Sequence, residues 1–288
     1  RLLTDGGVMF EQQLVECSAS VTLSPVASTA AIASAGPRLG AGFATSEADV
    51  RAAQALRYRV FCQEMGATVQ GEAGLDQDRF DPFCQHLIAK DLHSGEVIGT
   101  YRVLPPESAR LLGGYYSEQE FDLQRLATLR PSMVEVGRSC VHPDYRSGAV
   151  ISLLWAELTR YMLQQGHEYL VGCASIPLQP LQCESERSAE SAVAMIYQQL
   201  SERYLAPVEY RAFARQPMAL PRLVTGAAGA ESRPARPLLP PLIKGYLRLG
   251  AWVCSDPALD REFNSADLLI LLPVSRMSVR YTRHYAAT

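Results

Sequence analysis

Hydrophobic residues along this chain switch repeatedly between the period of a helix and that of a strand. Ser46 with Asp49 three residues on reads as a helix start, and Val50, Ala53, Leu56 and Val60 then recur on one face, predicting a helix over about 47–65 that Gly66 stops. An acid- and glycine-rich loop over 67–83 follows. Leu87-Ile88-Ala89 and Val97 to Leu104 predict two strands joined by the hairpin sequence Asp91-Leu92-His93-Ser94-Gly95-Glu96, and Pro105-Pro106 ends the second. Met133 to Val141 predicts a third strand. Val150, Leu153, Leu154, Leu158, Tyr161 and Met162 trace an amphipathic helix closed by Gly166, and Tyr169 to Cys173 predicts another strand. A helix over about 188–204, a Pro/Arg-rich connector over about 207–241 and two strand-like stretches, Tyr246 to Val253 and Leu268 to Leu272, complete the pattern.

This order predicts an α/β fold: a mixed sheet with helices on both faces, formed as one domain over 46–288 with the connector inside it. Residues 1–45 are expected to be poorly structured, because the Ala, Ser, Thr and Gly between Ser18 and Thr45 offer little to bury. The N-terminus lacks the charged-then-apolar pattern of a secretory signal, and Met9 is expected to be the natural start.

Composition narrows the function classes. The chain has 288 residues, 48% of them hydrophobic, and a net charge of -3, enough for a substantial core and without the basic footprint of a nucleic-acid binder. Its seven cysteines (17, 62, 84, 140, 173, 183 and 254) are odd in number and form no C-x-x-C pair, which predicts reduced thiols and a cytosolic setting. The apolar run from Ala266 to Val274, interrupted by Asp267 and Pro273, falls well short of the roughly 20 residues that cross a bilayer.

Fixed charges embedded in apolar surroundings mark the candidate site: Arg57 and Phe61 late in the first helix, Asp76, Asp78 and Asp81 in the following loop, Arg102 on a strand, and Glu135 and Arg138 on the next. Buried charges need partners, and such networks concentrate where chemistry happens. Glu135, flanked by Val134 and Val136, is a candidate general base raised by desolvation; alternatively it is the ion-pair partner of Arg138 or Arg102. Strand alternation puts Glu135 and Arg138 on opposite faces, and a bulge at Gly137 would bring them together. Asp78 and Asp81 either hold a cationic ligand or pair with Arg57 and Arg102 to fix the loop. A calcium loop at 76–81 lacks the required glycine and distal glutamate, and the histidines show no metal spacing, so no metal is expected. Cys140 and Cys173 read as buried, inert thiols.

The order Arg57, Phe61, Asp78, Asp81, Arg102, Glu135, Arg138 resembles the signature of acyl-homoserine-lactone synthases, which are GNAT-like N-acyltransferases. The extended motifs Glu-Val-Gly-Arg-Ser-Cys-Val-His-Pro-Asp-Tyr-Arg-Ser-Gly (135–148) and Pro-Pro-Leu-Ile-Lys-Gly-Tyr-Leu-Arg-Leu-Gly-Ala (240–251) more closely resemble bacterial ornithine N-acyltransferases of ornithine-lipid synthesis. Homoserine-lactone synthases usually carry a tryptophan just after the first motif, and Met65 to Gln70 contains none.

The resemblance, covering about 45–285, implies a GNAT-like fold with a mostly antiparallel sheet. It implies attack by an amino acid's α-amine on a 3-hydroxyacyl thioester delivered on the 4'-phosphopantetheine of acyl carrier protein, with no tightly bound cofactor. For ornithine, Asp78 and Asp81 would hold ammonium groups and Arg57, Arg102 or Arg138 the carboxylate, with Phe61 beside them. Tyr145 to Ala149 resembles a shortened pyrophosphate loop, so Arg146 and Gly148 are candidates for the phosphopantetheine phosphate, a plain helix start being the alternative. Tyr197 sits where related enzymes place a thiolate-protonating tyrosine, with core packing as its alternative. Between Arg211 and Arg248 seven basic residues face one acid, Glu231, a charge suited to the carrier protein or the inner membrane's cytoplasmic face, or simply to a solvated loop. Acylation of another amino acid, and a non-catalytic membrane- or carrier-binding role, remain alternatives.

Overall fold

In the computed structural model of the protein, residues 38–69, 72–178, 188–222 and 239–277 are described. Expectations for 1–37 and for most of the basic connector (223–238) fall outside them. In chain order the strands are β1 (Leu39–Phe43), β2 (Gln85–Asp91), β3 (Val97–Leu104), β4 (Phe121–Asp122), β5 (Met133–Val141), β6 (Tyr169–Pro177), β7 (Phe213–Ala214), β8 (Trp252–Val253), β9 (Ala258–Asp260) and β10 (Ser265–Pro273). The helices are α1 (Glu47–Tyr58), α2 (Pro106–Leu112), α3 (Ala149–Gln165), α4 (Ala189–Tyr204) and α5 (Pro241–Leu249), and α1 runs on into a π-helical turn over Arg59–Glu64.

The main sheet has the order β1-β2-β3-β5-β6-β10-β8, with β9 also along β10; a separate ribbon joins β4 to β7. Every neighbouring pair is antiparallel except β5–β6. Side-chain alternation separates two cores. Leu87, Tyr101, Val134, Leu268 and Ile270 pack with residues of α3, α4 and α5 on one face. Met133, Val171, Leu269 and Leu271 pack under the segment 104–129 on the other. There too α1 lays Ala53, Leu56 and Val60 against Ile88 and Cys140.

Two expectations are corrected. Structure begins before 46: Leu39 to Phe43 pairs with Asp91 to Leu87, and its alternate residues Leu39, Ala41 and Phe43 reach the α3 core, where Phe43 meets the Tyr161 ring at 5.1 Å. A waiting sheet edge supplies order that composition does not reveal. Tyr246 to Val253 is not one strand, because α5 occupies 241–249 and only Trp252–Val253 extends. Pro241 in the first helical turn and Gly250 at φ 101° supply start and stop signals that bracket a helix.

Two irregularities create the site. In the β3–β5 pair, Thr100 faces Cys140 while Arg102 faces Gly137, so two steps on β3 match three on β5. The extra residue makes a bulge centred one position beyond Gly137, on Arg138, which adopts φ 50°. The parallel pairing of β5 with β6 lasts only from Met133–Glu135 against Tyr169–Val171, after which the strands part. At the apex of that wedge a Cβ on Gly172 would lie 2.2 Å from the Val136 carbonyl oxygen, so the backbones close there only because residue 172 has no side chain.

Candidate functional site

A cavity of about 760 Å³ runs through this wedge. Its lining comes from both faces of the sheet: Ile151 and Trp155 of α3 with Tyr246 and Leu249 of α5 on one side, Phe80, Arg102, Tyr116 and Phe263 on the other. The opening between β5 and β6 therefore connects an apolar chamber with a charged one. The volume is that of an ordinary small-ligand site.

Three arginines and three aspartates build the charged wall. Arg57, on the buried face of α1, donates from Nε to Asp76 Oδ2 at 2.8 Å and pairs through Nη1 with Asp81 Oδ1 at 2.9 Å. Arg102 reaches Asp78 Oδ1 at 2.7 Å and Asp81 Oδ2 at 3.2 Å. Arg138 reaches Asp76 Oδ2 at 3.1 Å and Asp78 Oδ2 at 3.3 Å, and its guanidinium lies 4.9 Å from the Tyr116 ring centre and 4.5 Å from that of Phe263. Burial pushes the Asp81 carboxyl up, but the charge and hydrogen bonds of Arg57 and the charge of Arg102 outweigh it and hold it well below the usual carboxylate range.

Glu135 faces the same side, one residue short of the point where β5 and β6 separate. Its two oxygens accept the backbone N–H groups of Tyr116 (2.6 Å) and Ser117 (2.8 Å), fixing the 3₁₀ turn over Tyr116–Gln119 against the cavity. Burial raises its carboxyl above the ordinary value despite the hydrogen bonds from Ser117 and Tyr116. A buried carboxylate with raised proton affinity at a cavity wall has the properties of a general base.

A second acidic group comprises Asp260 of β9 and Asp267 of β10, which line the cavity, and Glu120 at the end of the 3₁₀ turn, with Cys173 of β6 beside them. Asp267 is buried, accepting the Ser265 hydroxyl at 2.6 Å and the Ser175 hydroxyl at 3.2 Å. Glu120, Cys173 and Asp267 bring one potential ligand atom each to within 4.8 Å of one another. Burial, then the charges of Asp267 and Asp260, pushes the Glu120 carboxyl up to about 9, and burial raises Asp267 as well. The Cys173 thiol is pushed well up by burial.

Residues 56–156 match the acetyltransferase (GNAT) domain family. The chain is similar to L-ornithine N(alpha)-acyltransferase of Brucella abortus, with 35% identity over 85% of this chain and 87% of that one. It also resembles the enzyme of the same name from Rhizobium meliloti, with 36% identity over 85% and 83%. The chain belongs to the L-ornithine N(alpha)-acyltransferase family. Among solved structures, similarity extends to the CoA-dependent acyl-homoserine lactone synthase BjaI, at 16% identity over 88% of this chain and 89% of that one with a TM-score of 0.49. FeeM, an N-acyl amino acid synthase from uncultured soil microbes, aligns at 12% identity over 84% and 93% with a TM-score of 0.48. The protein is an acyltransferase with a GNAT-like fold, a mixed, mostly antiparallel sheet covered on both faces.

In this member of the ornithine N-acyltransferase family, Phe61, Arg102, Glu135, Arg138, Arg146 and Gly148 all line the cavity. Arg57, Asp78 and Asp81 stand behind it as the arginine–aspartate network. Glu135 forms no ion pair with Arg102 or Arg138 among the described residues; its partners are amides. Asp78 and Asp81 are occupied by arginines, so they offer no surplus charge for an ammonium group. The Arg146 guanidinium is likewise engaged, by Glu64 at 2.6 and 2.7 Å. Gly148, at φ 99°, caps α3.

Tyr197 stands apart from these residues, packed against the α3-side core. It lies outside the cavity lining, and its hydroxyl donates to Asp256 instead. The tyrosine at the charged wall is Tyr116, whose hydroxyl burial keeps protonated. Sequence reasoning also missed Phe263, Glu120, Asp260 and Asp267. Asp267 had a readable signal, since a lone carboxylate inside the apolar run of β10 is the pattern that singled out Glu135.

The raised Glu120 carboxyl has a consequence for stability. A folded-state affinity above the unfolded value of roughly 4.3 contributes stability that is fully present below that value and is lost as pH rises toward about 9. The ligand-free protein is therefore expected to melt at progressively lower temperature as pH rises through that window, and a Glu120→Gln variant to lose that part of the slope. Thermal melts across the pH range, on both proteins, check it.

Proposed function

We propose that this enzyme transfers a 3-hydroxyacyl chain from the phosphopantetheine thioester of acyl carrier protein to the α-amine of ornithine, giving lyso-ornithine lipid. The observation that carries the reading is the cavity through the β5–β6 wedge, with an apolar chamber for a fatty chain on one face and a charged chamber for an amino acid on the other. The names of the relatives supply ornithine as the acceptor.

In the proposed reaction Glu135 takes a proton from the α-ammonium, directly or through water. The freed amine attacks the thioester carbonyl carbon, a C–N bond forms, and the C–S bond breaks. The β5 bulge at Arg138 takes backbone amides out of the ladder, where they serve the developing oxyanion. Tyr116, beside Arg138, protonates the departing thiolate, and the second proton, shed by the attacking nitrogen as the amide forms, passes directly or through water to the Tyr116 phenolate, while Glu135 returns its proton to solvent. Arg138 and Arg102, which line the cavity, orient the amino acid's carboxylate through guanidinium hydrogen bonds rather than net charge. The phosphopantetheine arm enters past Gly148 at the α3 end of the cavity. No helix among the described residues is long and apolar enough to cross a membrane, so any contact with the inner membrane would be peripheral.

The test is to incubate the pure protein with 3-hydroxyacyl carrier protein and separate amino acids, then weigh the products. N-acylation of ornithine, with free carrier thiol released in equal amount, is expected. Acylation of tyrosine or homoserine in preference to ornithine would overturn the reading.

A further inference from the structure

The two sides of the charged chamber differ in how their charge is compensated. On the β5 side Arg57, Arg102 and Arg138 answer Asp76, Asp78 and Asp81 one for one. On the β10 side Glu120, Asp260 and Asp267 have no arginine or lysine ion pair among the described residues. Their partners are neutral: two serine hydroxyls for Asp267, and the backbone N–H groups of Glu262 and Phe263, at 2.8 and 3.1 Å, for Asp260. Asp267 is 3% exposed. Glu120 Oε2 is shut away from solvent with no hydrogen-bond partner among the described residues. Asp267 is the buried member, with Glu120 and Asp260 partly buried beside it; a buried carboxylate without an ion-pair partner is among the costliest features a fold can hold, and an enclosed acceptor without a donor adds to that cost. Both costs are relieved by a cation with several N–H donors that enters from the cavity, which Asp260 and Asp267 line.

We propose that Glu120, Asp260 and Asp267 form the specificity site for the terminal ammonium of a dibasic amino acid, holding the side-chain amine while the α-amine reacts at Glu135. The inference rests on the acceptor assignment made above and deepens it. A primary ammonium carries three donors in a tetrahedral arrangement, enough to meet the two aspartates at the cavity wall with one left for Glu120, which stands behind them beside the Cys173 thiol. Ser175 and Ser265 hold Asp267 in place for it. The site distinguishes ornithine from amino acids whose side chains end in a methyl or hydroxyl group, because those would leave Asp267 buried and uncompensated.

The deciding experiment compares kcat/KM for ornithine and norvaline, which share a carbon skeleton and differ by the terminal amine, using 3-hydroxyacyl carrier protein as donor. The wild-type protein is expected to prefer ornithine by roughly 10²-fold or more. Asp267→Asn and Glu120→Gln are each expected to reduce that ratio at least tenfold, with most of the loss in KM for ornithine. If Asp267→Asn does not fold by circular dichroism, Glu120→Gln and Asp260→Asn carry the test. An unchanged ratio in the folded variants would overturn the inference, as would equal use of norvaline and ornithine by the wild type. So would a stoichiometric divalent metal in the purified protein that Asp267→Asn loses, since Glu120, Cys173 and Asp267 would then be its ligands. Those results leave ornithine acylation standing. A wild-type protein that acylates no dibasic amino acid but turns over another amine sinks the acceptor assignment itself, and this inference with it.

Discussion

Replacing Arg57 by methionine is expected to destabilise the protein by about 3–5 kcal/mol. Arg57 is fully buried, and it pairs with two carboxylates that are themselves almost wholly inside, Asp76 and Asp81. Methionine fills much of the same volume, so the loss is chiefly electrostatic. Asp76 keeps Arg138 and Asp81 keeps Arg102, but each loses its shortest arginine contact. Urea denaturation of the two proteins measures the difference. A second substitution separates unpaired charge from lost packing: Arg57→Met combined with Asp81→Asn is expected to recover part of the stability, because it removes a carboxylate left with too little compensation. The acid response gives an independent readout. Asp81 is held below its unfolded value, so its contribution is present above about pH 3.9 and is lost as pH falls through the folded value. Without Arg57 that depression is largely relieved, and the acid limb of the stability curve should flatten. A change in stability below about 1 kcal/mol, the range of exposed pairs, would show that the network contributes little to holding the loop 76–81.

Elements bounded by strong local signals were legible in the sequence. α1, α3 and α4 follow their apolar stripes, and the β2–β3 hairpin and β5 follow from alternation and turn residues. Elements made by tertiary contact were not. β1 is glycine-rich and becomes a strand because β2 offers an unpaired edge, and α5 was hidden because an apolar stretch of that length satisfies either period. The site divides along the same line. The arginines and acids of one wall were visible as charges in apolar context, and the expected bulge is present, displaced from Gly137 to Arg138. Pairing of Arg57 and Arg102 with Asp78 and Asp81 was one of two readings the sequence left open, and the choice between them depends on three segments meeting at Asp76, Asp78 and Asp81. The second acidic wall joins residues 120, 260 and 267, whose proximity arises only when β10 is inserted beside β6.

That insertion also explains why the chamber is charged on one face and apolar on the other. β5 and β6 present Glu135 and Cys173 to one side and Val136 and Gly172 to the opposite one. Because the strands separate immediately after Glu135, a ligand can pass from face to face without crossing a continuous ladder of hydrogen bonds. In the proposed reaction both halves of the acyl transfer would then meet at one point, beside a carboxylate whose proton affinity is raised by burial.

Substituting Glu135 by glutamine is expected to lower kcat by about 10²–10⁴-fold, the usual contribution of a positioned general base. The side chain keeps its shape, so KM for the acyl donor should change little, and with the proposed donor, binding of the carrier protein should persist. Glutamine turns one acceptor into a donor facing the Tyr116 or Ser117 amide, so a loss of stability of about 1–3 kcal/mol accompanies the change. Activity must therefore be measured well below the variant's melting temperature. The pH profile separates chemistry from support. A base works only when deprotonated, so wild-type kcat/KM should fall as pH drops through the raised value of Glu135. The variant should lack that limb. If Glu135 served only to fix the 3₁₀ turn, the variant would be slower at every pH and would keep the wild-type profile. Glu135→Asp gives the complementary case: it retains a base while displacing it, and is expected to keep the acidic limb at reduced kcat. An unaltered profile in the glutamine variant would move the proton acceptor elsewhere in the cavity and leave Glu135 as the anchor of the turn.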